Sequence, residues 1–192
     1  MRLDPETLLD AYTQGAFPMA ERDGEILWYT ADPRGVLPLE RFHIPQTLRQ
    51  LIRQKKFEIR INHDFAAAMR ACMQTRADHT WINEELIAAY LRLHELGHAH
   101  SVEAWRDGRL AGGLYGVSLG AAFFGESMFH HHRDAGKVAL VALVEHLRER
   151  DFKLLDTQTC SAHLTRFGGI EIPEEEYLRR LDRALTKDRQ FA

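Results

Sequence analysis

The stretch Ala99-His100-Ser101-Val102-Glu103-Ala104-Trp105-Arg106-Asp107-Gly108-Arg109-Leu110-Ala111-Gly112-Gly113-Leu114-Tyr115-Gly116-Val117-Ser118-Leu119 decides the fold. Two extended runs, 99–106 and 109–119, flank Asp107-Gly108, a pair suited to a type I′ turn because both central residues must take positive φ. A third strand is expected through Ala121 to Phe124, then a helix over 135–150 and a strand over 153–158. Strands, then a helix, then another strand predict an α+β or mixed α/β sheet.

Working upstream, Asp4 is placed to cap a helix that has Pro5 at its first position and Leu8, Leu9 and Tyr12 as its apolar stripe. Gly15 stops it. Residues 16–40 are rich in aromatics, Gly and Pro, and read as short extended pieces. They define a small N-terminal lobe, residues 1–40, ahead of a main domain, residues 41–192. Pro45 opens a second helix with Leu48, Leu51 and Ile52 inward. Residues 57–61 alternate as a strand does, and a helix follows near 64–74. Asn83 caps a longer helix that Gly97 terminates. An amphipathic helix over 174–187 closes the chain.

With 192 residues, 45% hydrophobic and 28% charged, the chain can bury a core without disulfides. Cys72 and Cys160 lie outside any C-x-x-C spacing and read as reduced thiols. The start Met1-Arg2-Leu3-Asp4-Pro5 has no apolar run, and no stretch approaches the ~20 apolar residues of a membrane helix. A cytosolic protein is therefore expected. A net charge of −3 argues against a general nucleic-acid coat but permits local basic patches.

Several strings carry chemistry by their spacing. His94-Glu95-Leu96-Gly97-His98 is a literal H-E-x-x-H, yet that zinc motif needs both histidines on one continuing helix and a third ligand. Here the helix is expected to stop at Gly97, so no metal site is predicted. His130-His131-His132 reads as a solvated loop. Arg133-Asp134-Ala135-Gly136-Lys137-Val138 resembles in part the pyrophosphate loop of acetyl-CoA-dependent N-acetyltransferases, but Val138 stands where that loop takes Gly or Ala. Asp156 and Gln158, two apart on a strand, are expected to share a face at its C-terminal end, where open sheets tend to bind ligands. Glu126 sits among apolar neighbours and needs a partner if buried. Arg49, Arg53, Lys55, Lys56 and Arg60 form a basic stretch, either a solvated face or a contact for phosphates.

Further segments complete the pattern: Gly15-Ala16-Phe17-Pro18, Asp32-Pro33-Arg34, Thr80-Trp81-Ile82 and His94 through Glu103. They continue with Gly112 through Val117, Phe124 through Phe129, Asp156-Thr157-Gln158 and Glu171-Ile172-Pro173. Together, in this order, they resemble the leucyl/phenylalanyl-tRNA–protein transferases over nearly the whole chain. The resemblance implies an N-acetyltransferase-like (GNAT) mixed sheet flanked by helices, used without coenzyme A or a metal, beside a small N-terminal lobe. It implies transfer of Leu, Phe and less readily Met from aminoacyl-tRNA to proteins beginning with Arg or Lys, marking them for degradation. By the same resemblance Asp156 and Gln158 match a catalytic pair and Glu126 a site acid. Leu114, Phe123, Leu143, Leu147 and Leu155 match an apolar aminoacyl pocket, and Trp81 an aromatic that holds the terminal adenosine. Met19 replaces a frequent family aromatic, and His130-His131-His132 and Gly136 replace residues that are usually Ser-Arg-rich and Ser.

The implied chemistry is aminolysis of an activated ester, which is downhill. Alignment and exclusion of water then supply much of the rate. An α-amino group of pKa near ~8 must lose a proton. Asp156 would accept it, directly or through Gln158 or water, or would act by positioning; both readings stand on sequence. The competing classes are a coenzyme A-dependent acetyltransferase, a zinc hydrolase and a non-catalytic RNA-binding domain.

Overall fold

The Asp107-Gly108 turn forms as its residues require, with φ of 51° and 71°, and Arg106 pairs directly with Arg109 across it. The computed structural model describes residues 3–75 and 80–192, so the first two residues of the terminal segment read above lie outside it.

In chain order, α1 (Pro5–Thr13) starts where Asp4 accepts a hydrogen bond from the Thr7 amide. The hairpin β1 (Phe17–Ala20) and β2 (Ile26–Tyr29) forms a separate two-stranded sheet. Then come β3 (Arg34–Val36), a 3-10 turn over Leu39–Arg41, α2 (Gln46–Arg53) and β4 (Glu58–Ile61). Helices α3 (Phe65–Thr75) and α4 (Glu84–Glu95) follow, the second capped by Asn83, which accepts from the Leu86 amide. Gly97 at φ 80° ends that helix and turns the chain into β5 (Ala99–Arg106). The remaining elements are β6 (Arg109–Leu119), β7 (Ala122–His130), α5 (Ala135–Glu149), β8 (Leu154–Gln158), α6 (Ala162–Thr165), β9 (Ile170–Ile172) and α7 (Glu174–Leu185).

One seven-stranded sheet runs β4-β5-β6-β7-β8-β3-β9. Its pairings are antiparallel except β7 with β8, which α5 joins by a crossover. Strand β3, from the first forty residues, is thus an inner strand of the large sheet. Alternation divides the core between two faces. Tyr115, Val117, Phe124 and Leu154 pack with α1, α3, α4 and α7. Leu114, Phe123 and Leu155 pack with α5, which buries nine residues from Ala135 to Leu147. The architecture is therefore the expected α+β mixed sheet flanked by helices.

Two differences from the sequence reading have physical causes. Strand β7 extends past Phe124 to His130 because the chain resumes pairing with β6 beyond an irregularity at Glu126. The elements α6 and β9 hold four and three residues, too few for a period to show. Cys72 is buried and Cys160 half-buried, and neither is in a disulfide. No helix among the described residues is long and apolar enough to cross a membrane.

Candidate active site

The parallel ladder between β7 and β8 is short. Ala122, Phe123 and Phe124 pair with Leu154, Leu155 and Asp156, and there it ends although β7 continues to His130. A cavity of about 380 Å³ opens where the strands part. Its walls are Leu114, Met128, Leu140, Leu143, Leu155 and Leu164, with Phe17, Met19 and Trp81 at another side. Glu126, Ser127, Thr157 and Gln158 supply polar atoms.

Bulges on both strands aim these groups. Gly116 pairs with Gly125 and Tyr115 with Ser127, which leaves Glu126 as the extra residue of β7. Gly116 permits this close approach: a Cβ there would lie 2.2 Å from the Phe124 carbonyl oxygen. On the other strand Val36 pairs with Asp156 and Gly35 with Gln158, so Thr157 is extra, and Gln158 takes φ 55°. Bulges re-aim side chains beside functional sites, and a non-glycine residue at positive φ costs about 1–3 kcal/mol unless its surroundings enforce it. The enforcement here is the Gln158 amide donating to Asp156 Oδ1 at 2.8 Å.

Glu126 is 8% exposed. It accepts from the Tyr12 hydroxyl of α1 at 2.8 Å, the Tyr90 hydroxyl of α4 at 3.2 Å and Gln158 Nε2 at 3.4 Å. The two tyrosine hydroxyl oxygens also lie against each other. Burial pushes the Glu126 carboxyl up to about 7, the Tyr12 hydrogen bond opposing and the nearby charge of Asp156 adding to the rise. Such a carboxyl is poised to exchange a proton near neutral pH.

Asp156 is placed differently from the sequence expectation. It is fully buried and does not line the cavity. Arg34 Nε and the Gln158 amide donate to its Oδ1, and Arg34 Nη2 and the Tyr177 hydroxyl to its Oδ2. A carboxylate has about four lone-pair positions, and these four donors fill them. Asp156 and Gln158 therefore do not share an open face: the bulge turns Gln158 to the cavity and leaves Asp156 behind it. Arg34 is itself 1% exposed and donates also to the Gly15 carbonyl at 2.8 Å. Burial alone would lower its pKa, but the Asp156 bond and charge outweigh that and raise it.

Of the expected pocket residues, Leu114, Leu143, Leu155 and Trp81 line the cavity. Phe123 and Leu147 do not: both are fully buried behind it, Phe123 stacked on Phe191 at 5.0 Å between centroids. Sequence reasoning missed Tyr12, Tyr90, Arg34 and Tyr177, which come from four separate elements. It also missed the hydroxyls of Ser127 and Thr157, buried without a hydrogen-bond partner among the described residues. In the basic stretch, Arg60 is held by Glu58 and lies over Trp105, and Arg49 donates to the Ile44 carbonyl. Arg49, Arg53, Lys55, Lys56 and Arg60 line neither this cavity nor the two clefts beside it. In the H-E-x-x-H string, His94 is bonded to the Ala99 carbonyl and stacked on Phe65, and the turn at Gly97 separates it from His98.

Comparison with known proteins gives a consistent result. Residues 36–182 match the family described as leucyl/phenylalanyl-tRNA protein transferase, and residues 1–32 its N-terminal domain. A leucyl/phenylalanyl-tRNA–protein transferase of Rubrobacter xylanophilus is 54% identical, with 100% of each chain covered. One from Gloeobacter violaceus is 53% identical over 98% of this chain and 97% of its own. Among solved structures, a GCN5-related glucosamine N-acetyltransferase region of a fungal multi-domain β-N-acetylglucosaminidase superposes with a TM-score of 0.52 at 12% identity. It covers 88% of this chain and 22% of the other, and supports an N-acetyltransferase-like fold.

Proposed function

The chain belongs to the leucyl/phenylalanyl-tRNA protein transferase family, and we propose that its cavity binds the aminoacyl end of a charged tRNA and passes the aminoacyl group to a protein N-terminus. As a member it is an aminoacyltransferase. The observation that carries the site assignment is an apolar cavity opening in the strand gap directly beside Glu126 and Gln158.

The pocket suits Leu, Phe and Met, which present apolar bulk and no charge. The Trp81 and Met19 side takes the terminal adenosine. The acceptor is a protein beginning with Arg or Lys, drawn in by the Glu126 carboxylate, and the product is marked for degradation. The acceptor nitrogen forms its bond to the ester carbonyl carbon, and the bond from that carbon to the ribose oxygen breaks. The proton lost by the amine passes to ionised Glu126, which hands it on to the departing ribose oxygen and is regenerated as the carboxylate. Gln158, donating through Nε2 to Glu126, presents its amide oxygen to the incoming amine. Asp156 acts by positioning: it fixes the Gln158 backbone and ties it to Arg34.

The N-terminal lobe, residues 1–40, completes the site through Tyr12, Phe17 and Met19. Because the donor is already an activated ester, the reaction needs neither coenzyme A nor a metal, and it takes place in the cytoplasm with the charged tRNA. The basic stretch from Arg49 to Arg60 remains a candidate contact for the tRNA body. Incubating the protein with Phe-tRNA and a peptide beginning with Arg is expected to add one phenylalanyl residue at the peptide N-terminus, read by mass spectrometry. An unmodified peptide with intact Phe-tRNA would overturn the reading.

A further inference from the structure

The apolar cavity does not end at its own walls. Met128 and His163 line it and also a second cleft of about 260 Å³. Arg133, Asp134, Lys137 and His163 then line both this cleft and a third of about 460 Å³, which Arg166, Gln50 of α2 and Gln54 just beyond it also line. The lining thus changes from apolar to cationic in one direction.

The charged side chains come from separate segments: Arg133 and Lys137 from the turn into α5, and Arg166 from beyond α6. One acid, Asp134, faces them, 2.5 Å from Lys137 Nζ and 3.5 Å from Arg133 Nε. The positive charges outnumber it. His163, where the clefts meet, registers this excess. Its pKa is lowered by burial first, then by Lys137, Arg166 and His130, with Asp134 opposing.

An aminoacyl group seated in the cavity is attached through a ribose to a chain of phosphodiesters, and that chain must leave by some route. We propose that the second and third clefts bind the phosphodiesters adjoining the aminoacylated terminal nucleoside, with Lys137, Arg133 and Arg166 as the contacts. This rests on the reading of the cavity as the aminoacyl site. The clefts contact the phosphate backbone without reading bases, because the cations in their lining outnumber the acid Asp134 and suit phosphate oxygens.

The test compares two donors for transfer to a peptide beginning with Arg: 3′-O-phenylalanyl-adenosine, which has no phosphate, and the phenylalanyl trinucleotide CCA. In Lys137→Ala, Arg166→Ala and the double variant, the ratio of kcat/KM for trinucleotide over nucleoside is expected to fall about tenfold per side chain, the scale of a hydrogen bond to a charged group. The log–log salt dependence of trinucleotide binding should flatten by about 0.7 for each phosphate-binding cation removed. Thermal unfolding checks that these substitutions leave the fold in place. A ratio that does not move, or equal loss with both donors, overturns the cleft assignment while leaving the cavity reading intact. If the wild-type protein uses neither donor nor Phe-tRNA, the cavity reading fails and this inference falls with it.

Discussion

Arg34 grips both oxygens of Asp156, Nε on Oδ1 at 3.0 Å and Nη2 on Oδ2 at 2.6 Å, with both side chains at 1% exposure or less. The pair fastens β3 to β8 and, through the Gly15 carbonyl and the Phe17 ring 5.1 Å from the guanidinium, the chain after α1 and the start of β1 to the sheet. Removing one partner of a buried ion pair leaves a charge uncompensated and costs about 3–5 kcal/mol. Asp156→Asn and Arg34→Ala are each expected to lower stability by that order in denaturant unfolding. Arg34→Lys should rescue little, since an ammonium cannot reproduce the two-pronged contact. If Asp156→Asn unfolded at the wild-type midpoint while losing activity, Asp156 would be a catalytic residue instead of a positioning one.

The same pair marks the limit of what the sequence made legible. The Asp107-Gly108 turn, the caps at Asp4 and Asn83 and the stop at Gly97 are local events, and their residues announce them. The cavity depends on two bulges, at Glu126 and Thr157, whose extra residues become visible only against the register of neighbouring strands. A period-two reading therefore put Asp156 and Gln158 on one open face. It could not bring Arg34, Tyr177, Tyr12 and Tyr90 to the site, because each lies more than twenty residues from the carboxylate it binds.

Glu126 gives the reaction a pH signature. Its folded pKa of about 7 lies above the unfolded carboxyl value of ~4.3. The folded state therefore holds this proton more tightly. The stability it contributes is fully present below the unfolded pKa and is lost as pH rises through 7, an effect of roughly 3 kcal/mol. Glu126→Gln stays neutral throughout, so its stability relative to wild type should improve from pH 5 to pH 8. Activity should move the other way. If ionised Glu126 takes the proton, wild-type kcat/KM rises through pH 7, and the variant loses that limb together with about 10²-fold in rate. The separate rise from ionisation of the acceptor amine, near ~8, should remain. A variant that keeps the limb at 7 would assign it to another group.

Gln158, Ser127 and Thr157 should separate activity from stability. Gln158 is half-buried and meets Glu126 at the long distance of 3.4 Å, so Gln158→Ala should hardly change the melting temperature. Its loss is expected in kcat, by about 10²-fold. Ser127 Oγ and Thr157 Oγ1 are buried without partners. An unsatisfied buried hydroxyl costs about 1–3 kcal/mol, so Ser127→Ala and Thr157→Val should match or exceed wild-type stability. Lower kcat in both would mark hydroxyls held for the substrate. Wild-type kinetics in both would make them packing residues.

The cavity proposed to hold the aminoacyl group should select by size alone. Leu114, Leu140, Leu143, Leu155, Met128 and Leu164 present no charge to pair a charged substrate side chain. An unpaired charge among them is strongly disfavoured, so Asp-tRNA should not be used. Among apolar groups a methylene more or less is worth only ~1–3 kcal/mol, so Leu, Phe and Met should compete within one or two orders of magnitude. β-Branched Ile and Val should fare worse because their bulk lies close to the α-carbon. Leu143 lines the cavity, and Leu143→Ala should shift a competition between Leu-tRNA and Phe-tRNA toward Phe by filling the added space with the ring. Phe123 provides the control. It lies behind the lining and stacks on Phe191, so Phe123→Ala should cost about 3–5 kcal/mol of stability through an internal void. Its effect on the Leu-to-Phe ratio should be smaller than that of Leu143→Ala. The reverse order, with Phe123→Ala resetting selectivity and Leu143→Ala leaving it alone, would mean that the aminoacyl group sits deeper than the cavity described and reaches the ring of Phe123 directly.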